Sequence, residues 1–98
     1  MLDQLTSANF APHLHSTFHI HYDNGQILEV KLVAIQEFAE HADQPRQAFS
    51  LTFQSTEKSF YLKQAIYTLA HEQMGQMDLF IVPLGPDQAG MNYEVIFS

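Results

Sequence analysis

Four histidines crowd the first quarter of the chain: His13, His15, His19 and His21. Imidazole is the commonest protein metal ligand and the one ordinary side chain that changes charge between pH 5 and 8. Both pairs have the i, i+2 spacing that puts two side chains on one face of a strand, so a metal site is the first chemistry to weigh. The neighbouring residues argue against it. From Thr17 to Tyr22 the apolar Phe18, Ile20 and Tyr22 alternate with Thr17, His19 and His21, which turns both histidines of the strand outward. The chain has no cysteine and no third ligand at a fixed spacing, so no metal is expected and these rings read as solvated surface groups.

His71 stands apart, because it follows Tyr67 and Leu69 in the inward parity of a later strand and sits beside a turn. A general base needs a nucleophile or an acid within hydrogen-bond reach, and no spacing in the sequence supplies one. Catalysis would require a cleft joining His71 to Asp78, Glu94 or a serine, and no such cleft is expected. The chain has no nucleophile elbow, phosphate-binding glycine loop, zinc helix or calcium loop. The lone carboxylate of Gly85-Pro86-Asp87-Gln88-Ala89-Gly90 is too little for calcium. No catalytic residue and no cofactor is therefore assigned, and the chain is expected not to be an enzyme.

With 98 residues, residues 1–98 are expected to form one domain around a single core. Hydrophobic residues make up 46% and charged residues 15%, a balance that favours folding over disorder. Eleven acidic residues against four basic ones give a net charge of -7, which repels phosphate backbones and anionic lipid surfaces. Neither nucleic acid nor membrane is an expected partner. Protonating all six histidines would bring the charge to -1, so solubility should depend on pH near 6. The segment MLDQLTSANF lacks a basic stretch followed by an apolar one, and a cytoplasmic location is expected.

The elements that must position these residues are mostly strands. Leu5 to Leu14 predicts a turn or two of helix, with Thr6 or Ser7 as N-cap and Pro12 limiting its length. Asp23-Asn24-Gly25 marks a hairpin, and the register decides its loop length, because opposed residues share a face. A two-residue loop would set Ile20 against Glu29. A three-residue loop with Gly25 in the left-handed region opposes Ile20 to Leu28, Phe18 to Val30 and His19 to Glu29, and is the reading adopted.

The second strand runs on toward Phe38, where apolar residues occupy both parities and a bulge or doubly covered end is expected. Further strands follow at Phe49 to Gln54, near Ile66 to His71, at Gln76 to Val82 and at Asn92 to Phe97. Six short antiparallel strands and one short N-terminal helix predict an all-β fold, a small barrel or a barrel-like sandwich.

The last two strands carry apolar residues on both faces. Met77, Leu79, Ile81, Tyr93, Val95 and Phe97 share the inner face, while Phe80, Val82 and Ile96 lie on the other. Something should cover this second face, either Leu5, Phe10 and Leu14 of the N-terminal segment or a partner chain. Phe80, Val82 and Ile96 are therefore candidate interaction residues. Asp43 and Arg46 join them, because Ala39 to Gln47 is the most polar loop.

Ala48-Phe49-Ser50-Leu51-Thr52-Phe53, Tyr67-Thr68-Leu69-Ala70-His71, Leu79-Phe80-Ile81-Val82-Pro83-Leu84-Gly85-Pro86 and Tyr93-Glu94-Val95-Ile96-Phe97 resemble a family of short bacterial proteins of unknown function. Leu5 to Phe10 is similar as well, so the resemblance covers nearly the whole chain. It carries over no catalytic residue. Members of that family often accompany phage-tail or tail-collar-type proteins, which implies a protein partner or self-association in an assembly role. Lys63-Gln64-Ala65 stands where the family has Pro-Gln-Gly, and the turn entering the fourth strand is expected to be less tight for want of the glycine. The resulting expectation is a noncatalytic interaction module, with a small-ligand-binding barrel as the alternative.

Overall fold

The hairpin registers build the fold. In the computed structural model, which describes residues 5–38 and 47–97, β1 (Thr17–Tyr22) pairs with β2 (Gln26–Glu37) across a three-residue loop. Phe18 opposes Val30, Ile20 opposes Leu28 and His19 opposes Glu29, as the face-matching argument requires. Asp23, Asn24 and Gly25 all take positive φ, at 33°, 44° and 92°. Glycine, asparagine and aspartate are the residues that tolerate this region best.

β2 is long because it serves two neighbours. Its first half pairs with β1 and its second half with β3 (Phe49–Ser55), with the register shifting between Leu32 and Ala34 so that Val33 is a bulge. The mixed parity after Leu32 is the sequence trace of that bulge, which bends the strand across the barrel. β5 (Gly75–Pro86) repeats the device: it pairs with β4 (Ala65–His71) up to Ile81, with β6 (Met91–Phe97) from Val82, and shifts register between Pro83 and Gly85. It thus runs four residues past the expected end at Val82, because a proline without an N–H is tolerated next to a bulge.

Pairing of β1 with β4, Ile20 opposite Leu69, closes the barrel in the order β1-β2-β3-β6-β5-β4. The fold is therefore a closed six-stranded antiparallel barrel preceded by one short helix, and not a sandwich. Its interior is filled by side chains from every strand, among them Phe18, Leu32, Phe53, Leu69, Ile81 and Tyr93, each at most 1% exposed.

Both ends of the barrel are plugged. At the end bearing the Asp23 turn, Leu62 is buried and its backbone N–H donates to Tyr93 Oη at 3.0 Å. The chain enters β4 through a bend at Gln64, and Tyr67 Oη donates to the Lys63 carbonyl at 2.6 Å. At the other end, α1 (Ser7–Phe10) continues into a 3-10 turn, Ala11–His13, where Pro12 ends the regular helix. Thr6 is the N-cap, and its backbone N–H donates to Asn9 Oδ1 at 2.7 Å.

Candidate functional site

The N-terminal strap, residues 5–16 ahead of β1, decides what the two candidate surfaces look like. Phe10 is fully buried and its ring lies 6.0 Å from Phe49 and 5.5 Å from Phe97, which themselves stack at 4.6 Å. The strap therefore caps the barrel's open end. Cover of the outer face by Leu5, Phe10 and Leu14 is overturned: Leu5 packs against the core, Leu14 is 40% exposed, and Phe80 and Ile96 stay 52% and 58% exposed. The physical reason is that the barrel mouth offers a fully enclosed aromatic cavity, which removes more apolar surface from water than the convex outer wall can.

Beyond Pro12 the strap returns along the barrel rim. His15, at φ 72°, donates its N–H to the Leu32 carbonyl at 2.6 Å, and Leu32 N–H donates to the Ser16 carbonyl at 3.1 Å. These two bonds deliver Ser16 and His13 to His71. His71 Nε2 lies 3.1 Å from Ser16 Oγ, and the His13 and His71 rings meet edge to face with centroids 4.5 Å apart. A cleft of about 640 Å³ opens beside them, lined by His13, Ser16, His19, His71, Glu72 and Gln76 among others. A cleft bringing His71 to a serine is thus present, against expectation, although Asp78 and Glu94 take no part in it. A separation of 55 positions between Ser16 and His71 gave the sequence no way to signal it.

The hydrogen-bond roles fix the chemistry of that pair. His71 Nδ1 lies 3.1 Å from the Gln73 N–H and 3.3 Å from the Met74 N–H, so it is the unprotonated nitrogen. Nε2 then carries the proton and donates to Ser16 Oγ, while Ser16 Oγ donates its own proton to the His13 carbonyl at 2.6 Å. A serine nucleophile needs the opposite arrangement, with its hydroxyl donating to an unprotonated imidazole nitrogen. Burial, at 7% exposure, pushes the His71 pKa down, and the neighbouring His13 pushes it further in the same direction while Glu72 opposes them. His71 is held neutral as a structural acceptor for the β4–β5 turn. No three His, Asp or Glu side chains among the described residues stand close enough to hold a metal ion.

Strands β4, β5 and β6 present the other candidate surface. Ile66 opposes Phe80 directly, and both point outward, at 69% and 52% exposure. Val82 opposes Glu94, which sets Phe80 and Ile96 on the same outer face of adjacent strands; Val82 itself is half-buried. Ile66 was missed in the sequence, though its parity opposite Tyr67 was the available signal. The three strands carry no lysine or arginine and two carboxylates, Asp78 and Glu94. Thr68 Oγ1 donates to Asp78 Oδ1 at 2.7 Å. Asp43 and Arg46 lie outside the described residues.

Asp87, the carboxylate of the glycine-rich loop, is already occupied. Its oxygens accept from Ala89 and Gly90 N–H groups at 2.8 and 3.0 Å and from Asn92 Nδ2 at 3.0 Å. The Asn92 bond chiefly, with that of Ala89, holds its pKa below the ordinary carboxylate value. It is a loop brace.

Among the described residues, no helix is long and apolar enough to cross a membrane. No curated protein and no solved structure matches the chain. A family model described as "Domain of unknown function (DUF6916)" matches residues 5–97, which takes in the strap and all six strands. The chain belongs to that family.

Proposed function

We propose that this barrel is a noncatalytic protein-interaction module that docks a partner protein on the outer face of β4, β5 and β6. The observation that carries the reading is the row Ile66, Phe80 and Ile96, each more than half exposed on three neighbouring strands. Contiguous exposed apolar patches on a protein surface mark interaction sites.

Charge selects the kind of partner. Asp78 and Glu94 flank the row, no basic residue lies on these strands, and the chain carries -7 overall. A second copy would bring like charge against like, whereas an apolar surface rimmed by lysine or arginine is complementary. An assembly accessory to tail-like structures, the setting implied by the resemblance, is one in which such a module would serve. A ligand-binding barrel is less well supported, because side chains from all strands fill the lumen.

Phe80→Glu tests the proposal. The variant should keep its far-UV spectrum and melting temperature, since it alters an exposed position. Used as bait beside wild type in lysate of the source organism, it should lose a basic-surfaced partner that wild type retains, and wild-type recovery should fall with added salt. Equal recovery by both baits, or collapse of the Phe80→Glu fold, refutes docking on this face.

A further inference from the structure

We propose that His71 is an acid-operated latch, which holds the N-terminal strap and the β4–β5 turn on the barrel while neutral and lets go of both when protonated. The inference stands apart from the docking face of β4, β5 and β6 and does not depend on it.

The geometry leaves protonation no comfortable place. His71 Nδ1 already faces two N–H donors, Gln73 and Met74, and a proton added there would point at both. Donor would meet donor in a buried site, so the ring has to turn away. Turning breaks the two turn bonds and removes Nε2 from Ser16 Oγ, 3.1 Å away, which is the strap's side-chain tie to β4. The Phe18 ring, 4.4 Å from the His71 ring, closes the inner side and leaves outward movement as the open route.

The charges around the ring reinforce this. From the strap, the His13 ring lies edge-on with its centroid 4.5 Å from that of His71 and disfavours a charge on it. From β1, His19 lines the same cleft, and from the β4–β5 turn Glu72 is the one carboxylate there, exposed to solvent. The remaining polar neighbours, Ser16, Thr17, Gln73 and Gln76, are uncharged. Burial and the His13 ring, set against one solvated carboxylate, disfavour a charged His71 in the closed form.

The sign follows from linkage. A histidine whose pKa is lower folded than unfolded stabilises the closed form fully above about pH 6.5, and that contribution is lost as pH falls toward the folded value. Release weakens the hold on the strap around Ser16, while Phe10 stays buried against the Phe49 and Phe97 rings.

NMR on the intact chain tests the latch. At neutral pH, long-range proton–nitrogen spectra should show His71 protonated at Nε2 and bare at Nδ1. Between pH 8 and 5, hydrogen-exchange protection factors at the Gln73, Met74, His15 and Leu32 amides should fall about tenfold per pH unit below about 6.5, until His71 protonates in the closed form. Amides of Leu51 and Phe53 in the core should stay better protected than these throughout. His71→Gln, which keeps a donor and an acceptor but cannot titrate, should abolish the fall. A proton on Nδ1, steady protection at Gln73 and Met74 from about pH 6.5 down to the pH at which His71 titrates, or an undiminished fall in His71→Gln overturns the proposal. Should His71→Gln not fold, the two wild-type measurements decide it.

Discussion

Phe10→Ala asks directly whether the strap plugs the barrel or drapes its wall. Phe10 has no exposed surface and touches the stacked Phe49 and Phe97 rings, so truncation removes a buried aromatic and leaves a cavity at the barrel mouth. Such changes cost about 3–5 kcal/mol. A domain of this size has a total stability of roughly 5–15 kcal/mol, so the loss is a large part of the whole. With a urea m-value of about 1.5 kcal/mol/M, the unfolding midpoint should fall by about 2–3 M at nearly constant slope.

A pair of double-mutant cycles makes the test specific. Phe10→Ala combined with Phe97→Leu should be non-additive by about 0.5–1.5 kcal/mol, because the two rings touch. Combined with Phe80→Ala it should be additive within about 0.5 kcal/mol, because Phe80 lies on the outer wall. Leu14→Ala, at a 40% exposed position, serves as the near-neutral control. A cost below about 1 kcal/mol for Phe10→Ala, or coupling to Phe80 in place of Phe97, refutes the plug.

Two further substitutions probe the opposite end of the barrel. Tyr93→Phe strips the acceptor from the buried Leu62 N–H and should cost about 1–3 kcal/mol, with faster exchange at the Leu62 amide; an unchanged midpoint would show that the bond does not hold this plug. Gly90→Ala would place a Cβ 1.9 Å from the Ser55 carbonyl oxygen, a backbone atom that cannot swing aside, and should lower stability by roughly 1–3 kcal/mol or more; a wild-type melting temperature would contradict the close approach.

Local rules carried the hairpins. At Asp23-Asn24-Gly25 the demand that Phe18 and Ile20 meet apolar partners was enough to choose the three-residue loop, since a slip of one residue reverses every side chain. The bulge at Val33 showed itself as a change of parity, and Pro12 set the end of α1. The length of β5 was not legible in the same way, because Pro83 is a stop signal in isolation and becomes acceptable only where the bulge at Leu84 removes the need for its N–H.

The candidate sites divide along the same line. Parity alone placed Phe80 and Ile96 outward, and it left open what would cover them. The histidine cleft had no such signal, because the bonds between Leu32 and the strap that bring Ser16 to His71 are contacts between backbone groups, and backbone groups are the same in every residue.

What the sequence by itself determined is therefore the number of strands, their pairing across short turns and the two faces of each, all consequences of a side-chain period of two and of turn chemistry within a few residues. Tertiary structure alone decided that the sheet closes through β1 and β4, that Phe10 seeks the barrel mouth and not the outer wall, and that His71 is a neutral acceptor tied to Ser16. Those outcomes depend on which enclosed space can bury a ring and which distant donors converge on one nitrogen, and both exist only once the whole chain has folded.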